Sequence, residues 1–331
     1  MILFKFVVIF QVRMKHIPVL KKEIIEAFDY LSKRKGVTFV DGTLGLGGHT
    51  IALVNQYGKE GDLFRGIDRD QKALQLARDN VNNNATKLAH IVDYWHGNFK
   101  EIKNICEKFE IEKIDGVLLD LGVSSMQLDE RERGFSFNDL DQKLDMRMDQ
   151  TQGRSAADIL NIYSEESLAS ILKDYGDERF AKKIARNIMV FRKKAEIKTV
   201  RDFVEIISHS IPGKVKATGK IHFATRSFQA IRIEVNGELK GLKEAIFDFV
   251  ELLEPGGKIA VISFHSLEDE IVKKAFRELT GVCSCPPKMP CICNPKKIVE
   301  ILTRKPIIAS EEETNLNPRS RSAKLRIAQK V

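Results

Sequence analysis

The sequence predicts an α/β fold, a doubly wound parallel sheet that is interrupted by an all-helical insertion. Short continuous apolar runs alternate with helical patterns, which is typical of parallel strands buried on both faces. Three of these runs end in an acid, at Asp41, Asp68 and Asp120. After Asp120 the alternation stops: residues 123–153 resemble a loop and residues 155–211 carry helical patterns only. The alternation resumes near Phe228, so the insertion lies inside the α/β unit.

The spacing of apolar residues assigns each element in chain order. The predicted strands cover residues 37–41, 63–68, 89–92, 115–122, 258–264, 298–302 and 324–328. The predicted helices of the α/β unit cover residues 18–31, 51–58, 70–81, 102–109, 231–253 and 267–279. Those of the insertion cover residues 164–174, 178–194 and 199–210. The Pro-Gly-Gly stretch at residues 255–257 is predicted to break the long helix before it.

The turn after the first strand indicates a nucleotide-like ligand. Residues 41–50 read Asp-Gly-Thr-Leu-Gly-Leu-Gly-Gly-His-Thr, with four glycines within seven residues. Glycine lets the backbone approach a ligand closely, and the N-terminus of the next helix presents oriented N–H groups. The stretch fails the dinucleotide pattern G-x-G-x-x-G, because Thr50 occupies the position of the last glycine.

The turn therefore lacks a residue needed to bind a pyrophosphate, although an acid suited to bind a ribose follows at the expected spacing. Asp68 lies 21 residues after Gly47, near the spacing expected of a ribose-binding acid. S-adenosylmethionine carries a ribose, an adenine and an amino-acid tail but no phosphate, and it fits better than NAD. Asp68 would then accept both ribose hydroxyls, Phe99 would cover the adenine, and the backbone of residues 45–49 would lie against the methionine part. NAD-type binding stays open on these residues alone.

The charge balance favours a polyanionic partner. The net charge is +8 and the pI about 9.1. Nucleic acid comes first and an anionic membrane second, against the plainer explanation of a lysine-rich surface. The apolar run at residues 2–12 is too short to span a bilayer and lacks the features of a signal peptide. We expect residues 1–13 to be an extension that is either not native or a floppy tail, on a cytoplasmic protein with no membrane partner.

A series of motifs resembles one known family. They lie at residues 41–50, 66–70, 118–125 with 127–129, 133–137, 144–149, 177–181, 224–230, 263–269 and 317–322. In order and length they are similar to the bacterial small-subunit (16S) ribosomal RNA cytosine-N4-methyltransferases, the RsmH/MraW family. The resemblance runs from about residue 16 to residue 328. Met126 departs from it, because many members have proline there.

The resemblance implies a class I, Rossmann-like methyltransferase domain formed by residues 14–132 and 223–331, with an inserted helical RNA-binding domain at residues 133–222. It implies S-adenosylmethionine as cofactor and methylation of the exocyclic N4 amine of a cytidine in the decoding region, within the assembled 30S subunit. A homodimer is compatible with it, and no metal is expected in the active site. The family's cofactor contacts carry over onto Gly47, Gly48, His49, Asp68, Phe99, Asp120 and Gln127.

The chemistry of the amine points to Asp120. The lone pair of the cytosine amine is delocalised into the ring, so an enzyme must hold that nitrogen in line with the sulfonium methyl and accept an amine proton. Asp120 ends the fourth strand and is the candidate acceptor; a role in cofactor binding alone is the competing interpretation. His265 is a candidate to touch the base or its phosphate, although a residue at a helix entry is the simpler explanation.

The insertion is basic. Residues 176–226 carry thirteen Lys/Arg and five acids. A charge run is usually a solvated face, but beside a base-modifying site it favours a phosphate track. Arg319 and Arg321 extend the same idea towards the C-terminus.

Two questions stay open on the sequence. Cys283, Cys285, Cys291 and Cys293 form C-x-C-x5-C-x-C, which is tighter than usual zinc spacing, so zinc, reduced thiols and a redox-labile loop are all alternatives.

The alternative functions are a methylase of another nucleic-acid amine, a NAD-dependent oxidoreductase and a non-enzymatic RNA-binding assembly factor. The three strand-end acids argue against the last.

Overall fold

A mixed sheet forms the centre of the molecule. The computed structural model describes residues 17–85, 88–130, 132–137, 139–218, 221–282 and 296–331. The strands are β1 (Thr38–Asp41), β2 (Leu63–Asp68), β3 (Val92–His96), β4 (Ile114–Asp120), β5 (Leu253–Ser263), β6 (Val299–Ile301), β7 (Ile307–Ile308) and β8 (Lys324–Lys330). Their order is β3-β2-β1-β4-β5-β8-β6, with β7 also paired to β8. Strands β1 to β5 pair in parallel, and β8 runs antiparallel to its neighbours.

Helices connect the strands and fill the long interval between β4 and β5. They are α1 (Lys21–Ala27), α2 (Gly48–Tyr57), α3 (Gln71–Asn84), α4 (Ile102–Lys108), α5 (Ser125–Asp129), α6 (Ala156–Ile162), α7 (Glu165–Asp174), α8 (Ala181–Arg192), α9 (Val200–Ser210), α10 (Gly213–Thr218), α11 (Thr225–Asn236), α12 (Leu242–Leu252), α13 (Ser266–Leu279) and α14 (Glu311–Leu316). The architecture confirms the predicted class I, Rossmann-like α/β fold with an all-helical insertion.

Both faces of the sheet are buried, because successive strand residues point to opposite sides. Val40 of β1 packs with Phe249 under α4, α12 and α13. The next residue back, Phe39, packs with Phe28 and Phe64 under α1 and α2. The apolar runs of the sequence therefore reflect two separate cores, one on each side.

Helices α6 to α9 and α11 share a third core. Ile184 of α8 and Phe203 of α9 are fully buried there, and Phe135 joins them from the loop before α6. Helix α11 contributes Phe228 and Ile231 to the same core. The insertion is therefore held together by its own apolar packing, and α11 ties it to the second half of the sheet.

Three predicted elements are wrong in their bounds. The helix predicted at residues 18–31 begins only at Lys21, because Leu20 adopts a left-handed φ of 54°, and after Ala27 it is followed by a 3-10 turn at residues 29–33. The strand predicted at residues 89–92 is β3, which starts at Val92. It lies at the sheet edge, where half-exposed polar residues replace a continuous apolar run.

The long helix predicted at residues 231–253 is also wrong. It is two helices, α11 and α12, separated by Gly237 and Gly241 with φ of 56° and 75°. Helix α12 does end at Leu252, just before the Pro-Gly-Gly stretch, but the stretch itself lies inside β5, where the register against β4 shifts between Ile114 and Gly116. A bulge of this kind accommodates proline in a strand.

Two further features complete the fold. In the described ranges, no helix is both long and apolar enough to cross a membrane. Cys283, Cys285, Cys291 and Cys293 lie outside the described residues, as do residues 1–13, so the predictions made for them stay predictions.

Candidate active site

The glycine-rich turn lies at the carboxyl ends of the parallel strands, between β1 and α2. Gly45 and Gly47 take left-handed φ values of 53° and 78°, which side chains with a Cβ rarely adopt. Asp41 anchors the turn from below: it is 2% exposed and accepts a 2.8 Å hydrogen bond from Thr50 Oγ1. Burial raises the pKa of Asp41 to about 6. The turn is thus fixed by its own strand-end acid.

Asp68, at the end of β2, faces this turn. Its Oδ2 accepts a 2.7 Å bond from the Gly45 N–H, and its Oδ1 accepts a 2.8 Å bond from the Asp70 N–H. Burial raises its pKa to about 6. The glycine turn, Asp68, Phe99 and Asp120 line one cleft at the carboxyl ends of the strands. Each carboxylate oxygen of Asp68 keeps a second lone pair, so Asp68 can accept two further hydrogen bonds from a ligand in this cleft.

Asp120 and His49 meet across the turn. Asp120 ends β4, and its backbone N–H donates to Thr43 Oγ1 at 2.6 Å. Its Oδ2 lies 3.5 Å from His49 Nε2. Asp120 Oδ1 and both ring nitrogens of His49 are buried without a hydrogen-bond partner among the described residues. Unsatisfied buried groups of this kind cost roughly 1–3 kcal/mol each, so the site fits a polar ligand that would satisfy them.

The remaining predicted residues differ in how they face the cleft. Phe99, which is 8% exposed, lines it. Gly48 lines it at the start of α2, where a Cβ would come within 2.6 Å of Pro18 Cγ. Gly47 does not line the cleft; its missing Cβ points at Val81 of α3, 3.3 Å away.

Gln127 lines the cleft but has both ends of its amide engaged. Its Oε1 accepts from the Ser124 N–H at 3.0 Å, and its Nε2 donates to Asp70 Oδ2 at 3.2 Å. Arg133 donates to the same Asp70 oxygen at 2.8 Å. Gln127 therefore fixes the loop after β4 and joins it to the loop after β2.

An ion-pair network on the far wall of the cleft was missed by sequence reasoning. Arg232 binds Glu238 through two bonds of 2.9 and 2.8 Å, and His265 Nε2 lies 3.2 Å from Glu268 Oε1 and 3.9 Å from Glu238 Oε2. Burial would raise the pKa of Glu238, but Arg232 and His265 together outweigh burial and lower this pKa to about 2. Burial would lower the pKa of His265, but Glu238 and Glu268 raise it to about 9.

His265 also caps helix α13, through a 3.4 Å hydrogen bond from the Glu268 N–H to its Nδ1. The helix-entry interpretation of His265 is confirmed, and the ring lies behind the two carboxylates that line the cleft.

Two cations that directly follow cofactor candidates hold the end of α11. Arg69, next to Asp68, donates to the Asn236 carbonyl at 2.9 Å. Lys100, next to Phe99, donates to the carbonyls of Gly237 and Glu238 at 2.7 and 3.1 Å. Burial lowers the pKa of Lys100 to about 8. The insertion is therefore attached beside the predicted cofactor residues.

Two described segments, residues 17–20 and 313–319, form the other side of the cleft. Asn317 donates to the Ile17 carbonyl at 3.0 Å, and the Leu20 N–H donates to Glu313 Oε1 at 2.7 Å. Pro18, Asn317 and Arg319 all line the cleft. The motif at residues 317–322 was the only sequence signal for this wall.

Comparisons with known proteins identify the family of the chain. Residues 13–331 match the model of the MraW methylase family. A ribosomal RNA small subunit methyltransferase H from Finegoldia magna is 46% identical over 318 residues, which is 96% of this chain and 99% of that protein. A ribosomal RNA small subunit methyltransferase H 2 from Agathobacter rectalis is 45% identical over 317 residues, 96% of this chain and 98% of that one. Among solved structures, an rRNA methylase from Streptococcus thermophilus aligns with a TM-score of 0.37 and 10% identity, covering 92% of this chain and 93% of that chain.

Proposed function

The chain belongs to the MraW methylase family, and we propose that it methylates the exocyclic N4 amine of a cytidine in the decoding region of small-subunit ribosomal RNA. S-adenosylmethionine is the cofactor of this enzyme class. The observation that carries the proposal is Asp120 at the end of β4, which lines the cleft and whose buried Oδ1 has no hydrogen-bond partner among the described residues. The names of the relatives, which specify small-subunit ribosomal RNA, support the substrate class.

The proposed cofactor site follows the glycine turn. Asp68 would accept the ribose hydroxyls, and Phe99 would cover the adenine. Gly47 shapes the turn, while the N–H groups of Gly48 and His49 open α2 without partners inside the helix and would bind the carboxylate of the methionine tail. Gln127 would hold the loop after β4 against the bound cofactor. When bound, S-adenosylmethionine supplies the electrophilic methyl group.

Asp120 is the proposed catalytic residue. Its carboxylate would accept one N–H of the target amine, which orients the nitrogen and lets its lone pair localise. Thr43 fixes the backbone of Asp120 through its 2.6 Å bond, so the acceptor is preorganised by the strand end and the turn. Glutamate and aspartate are also the natural acceptors for the cytosine amine in base recognition.

The helical insertion is the proposed RNA-binding domain. We retain residues 133–222 as its bounds, between the methyltransferase parts 14–132 and 223–331. Helix α8 and the two residues after it carry exposed cations that suit a phosphate track: Lys182, Lys183, Arg186, Lys193 and Lys194. Binding to phosphates releases counterions, so affinity for RNA should fall steeply with added salt.

Methyl transfer from labelled S-adenosylmethionine tests this proposal. Small subunits from a strain that lacks the enzyme should accept the label, and we propose that assembled 30S subunits accept it better than naked RNA. Quenching of Trp95 by NADH but not by S-adenosylhomocysteine, with no label transferred, would favour an oxidoreductase instead. The homodimer stays a prediction that sedimentation velocity would test.

A further inference from the structure

A row of aromatic rings runs from the core of the helical insertion to its surface. Phe203, which is fully buried, stacks on Phe228 at 5.2 Å between ring centroids. Phe228 contacts Phe137 edge-on at 5.5 Å, and Phe137 stacks on His222 at 4.3 Å with only 13° between the rings. His222 contacts Phe223 at 4.3 Å. The inner rings are core residues, Phe137 and Phe223 pack against that core with part of each ring accessible, and His222 is exposed.

The outer end of this row is accessible and held in place. His222 is exposed, and Phe137 and Phe223 are half-buried. The Ala224 N–H donates to His222 Nδ1 at 3.3 Å, which fixes the ring plane. Burial lowers the pKa of His222, so its ring is neutral at pH 7 and behaves as an aromatic surface.

Cations border the same rings. Lys216 Nζ lies 5.8 Å from the centre of the Phe223 ring and donates to the carbonyl and hydroxyl oxygens of Ser208 at 3.1 and 2.9 Å. Lys214, two residues earlier, is exposed. Aromatic rings beside fixed cations are how proteins bind single-stranded nucleic acid, because every base offers a π-face and every linkage a phosphate.

The rings are close to the cleft along the chain. Phe137 follows Arg133 by four residues, so their Cα atoms are at most about 14 Å apart. Arg133 and Gln127 both bind Asp70 Oδ2, at 2.8 and 3.2 Å, and Gln127 lines the cleft. A base that enters the cleft has left its stack, and its neighbours on the strand need another surface to stack on.

We propose that Phe137, His222 and Phe223, with Lys216 at their edge, form a stacking platform for bases of single-stranded RNA that flank the target nucleotide. The proposal rests on the proposed function for its RNA partner and adds the place and mode of contact. The platform supplies base stacking, which does not depend on sequence, and Lys216 supplies a phosphate contact.

Anisotropy titrations of a fluorescein-labelled single-stranded RNA 12-mer test the platform. His222→Leu and Phe223→Leu should each weaken binding about fivefold or more, the change expected for loss of roughly 1 kcal/mol of stacking per base. The matched control is Phe109→Leu, which removes a 36% exposed ring at the end of α4 and should change affinity by at most about twofold. Circular dichroism checks folding, and His222→Leu keeps the test valid should Phe223→Leu unfold.

Salt dependence separates the rings from the cation. The ring variants should lower the affinity at every salt concentration without changing the slope of log affinity against log salt. Lys216→Gln should instead make this negative slope shallower by about 0.7. Unchanged affinity in both ring variants would overturn the platform. If wild-type protein methylates small subunits while the ring variants bind the 12-mer normally, the platform fails and the proposed function stands. If wild-type protein methylates no ribosomal RNA but the ring variants lose affinity for the 12-mer, the proposed function fails and the platform stands.

Discussion

Replacing Asp120 by asparagine separates a catalytic role from a role in cofactor binding. The substitution keeps the size of the side chain and removes its charge and its capacity to take a proton. Asp120 Oδ1 has no hydrogen-bond partner among the described residues, and its Oδ2 lies 3.5 Å from His49 Nε2. We therefore expect little loss of stability from this change, within about 1 kcal/mol of the free energy of unfolding.

The expected effect falls on turnover. Positioned proton acceptors contribute roughly 10²- to 10⁴-fold to rate, which is about 3–5 kcal/mol of the activation barrier. The affinity for S-adenosylhomocysteine should change less than about tenfold, because Asp68 and the turn keep their contacts. Calorimetric titration measures the affinity, and single-turnover methyl transfer at saturating cofactor measures the rate.

Asp68→Asn is the control with the opposite expected effects on cofactor binding and methyl transfer. It should weaken cofactor binding and leave single-turnover transfer at saturation largely intact, since Asp68 would touch the ribose and not the reacting amine. A large loss of cofactor affinity in Asp120→Asn, with transfer at saturation unchanged, would refute the catalytic role and leave Asp120 as a cofactor ligand.

Three further predictions follow from the same geometry. Because burial raises the pKa of Asp68 to about 6, and ribose hydroxyls donate to its ionised form, cofactor affinity should be constant above about pH 7 and fall below pH 6, a dependence that Asp68→Asn should weaken in calorimetric titrations while Asp41, whose pKa is also about 6, keeps its share. A Cβ at Gly66 would lie 2.6 Å from both terminal methyls of Leu44, so Gly66→Ala should displace the turn, destabilise the chain by roughly 1–3 kcal/mol in urea titrations and weaken cofactor binding. Glu238→Gln leaves the half-buried Arg232 without its charged partner and should cost about 1–3 kcal/mol of stability by the same urea assay, whereas a loss under about 0.5 kcal/mol would contradict the ion-pair network.

The sheet and the cofactor edge could be predicted from the sequence because both depend on local patterns. Buried parallel strands are short apolar runs, and Asp41, Asp68 and Asp120 come directly after three of them. The carboxyl ends of parallel strands meet at one edge, so acids at the ends of several such strands predict a shared site. The family resemblance then added the identity of the substrate, which these residues alone leave open.

The far wall of the cleft could not be predicted in this way. Glu238 and His265 lie 27 residues apart in the chain, and nothing in either stretch indicates that they pair. Their meeting depends on the turn between α11 and α12, where Gly237 and Gly241 adopt left-handed φ values inside a stretch with continuous helical spacing. Apolar periodicity alone favours one long helix there, since the pattern carries no information on the sign of φ.

The identity of the methylated nucleoside tests the central proposal most directly. Small subunits from a strain without the enzyme are incubated with the purified chain and S-adenosylmethionine, digested to nucleosides and analysed by mass spectrometry against standards. Methyl transfer to the exocyclic amine predicts N4-methylcytidine in the decoding region, absent when Asp120→Asn replaces the wild-type chain. A methyl group on a ring carbon, on another base or on no nucleoside at all would contradict the assignment of this cleft to a cytosine amine.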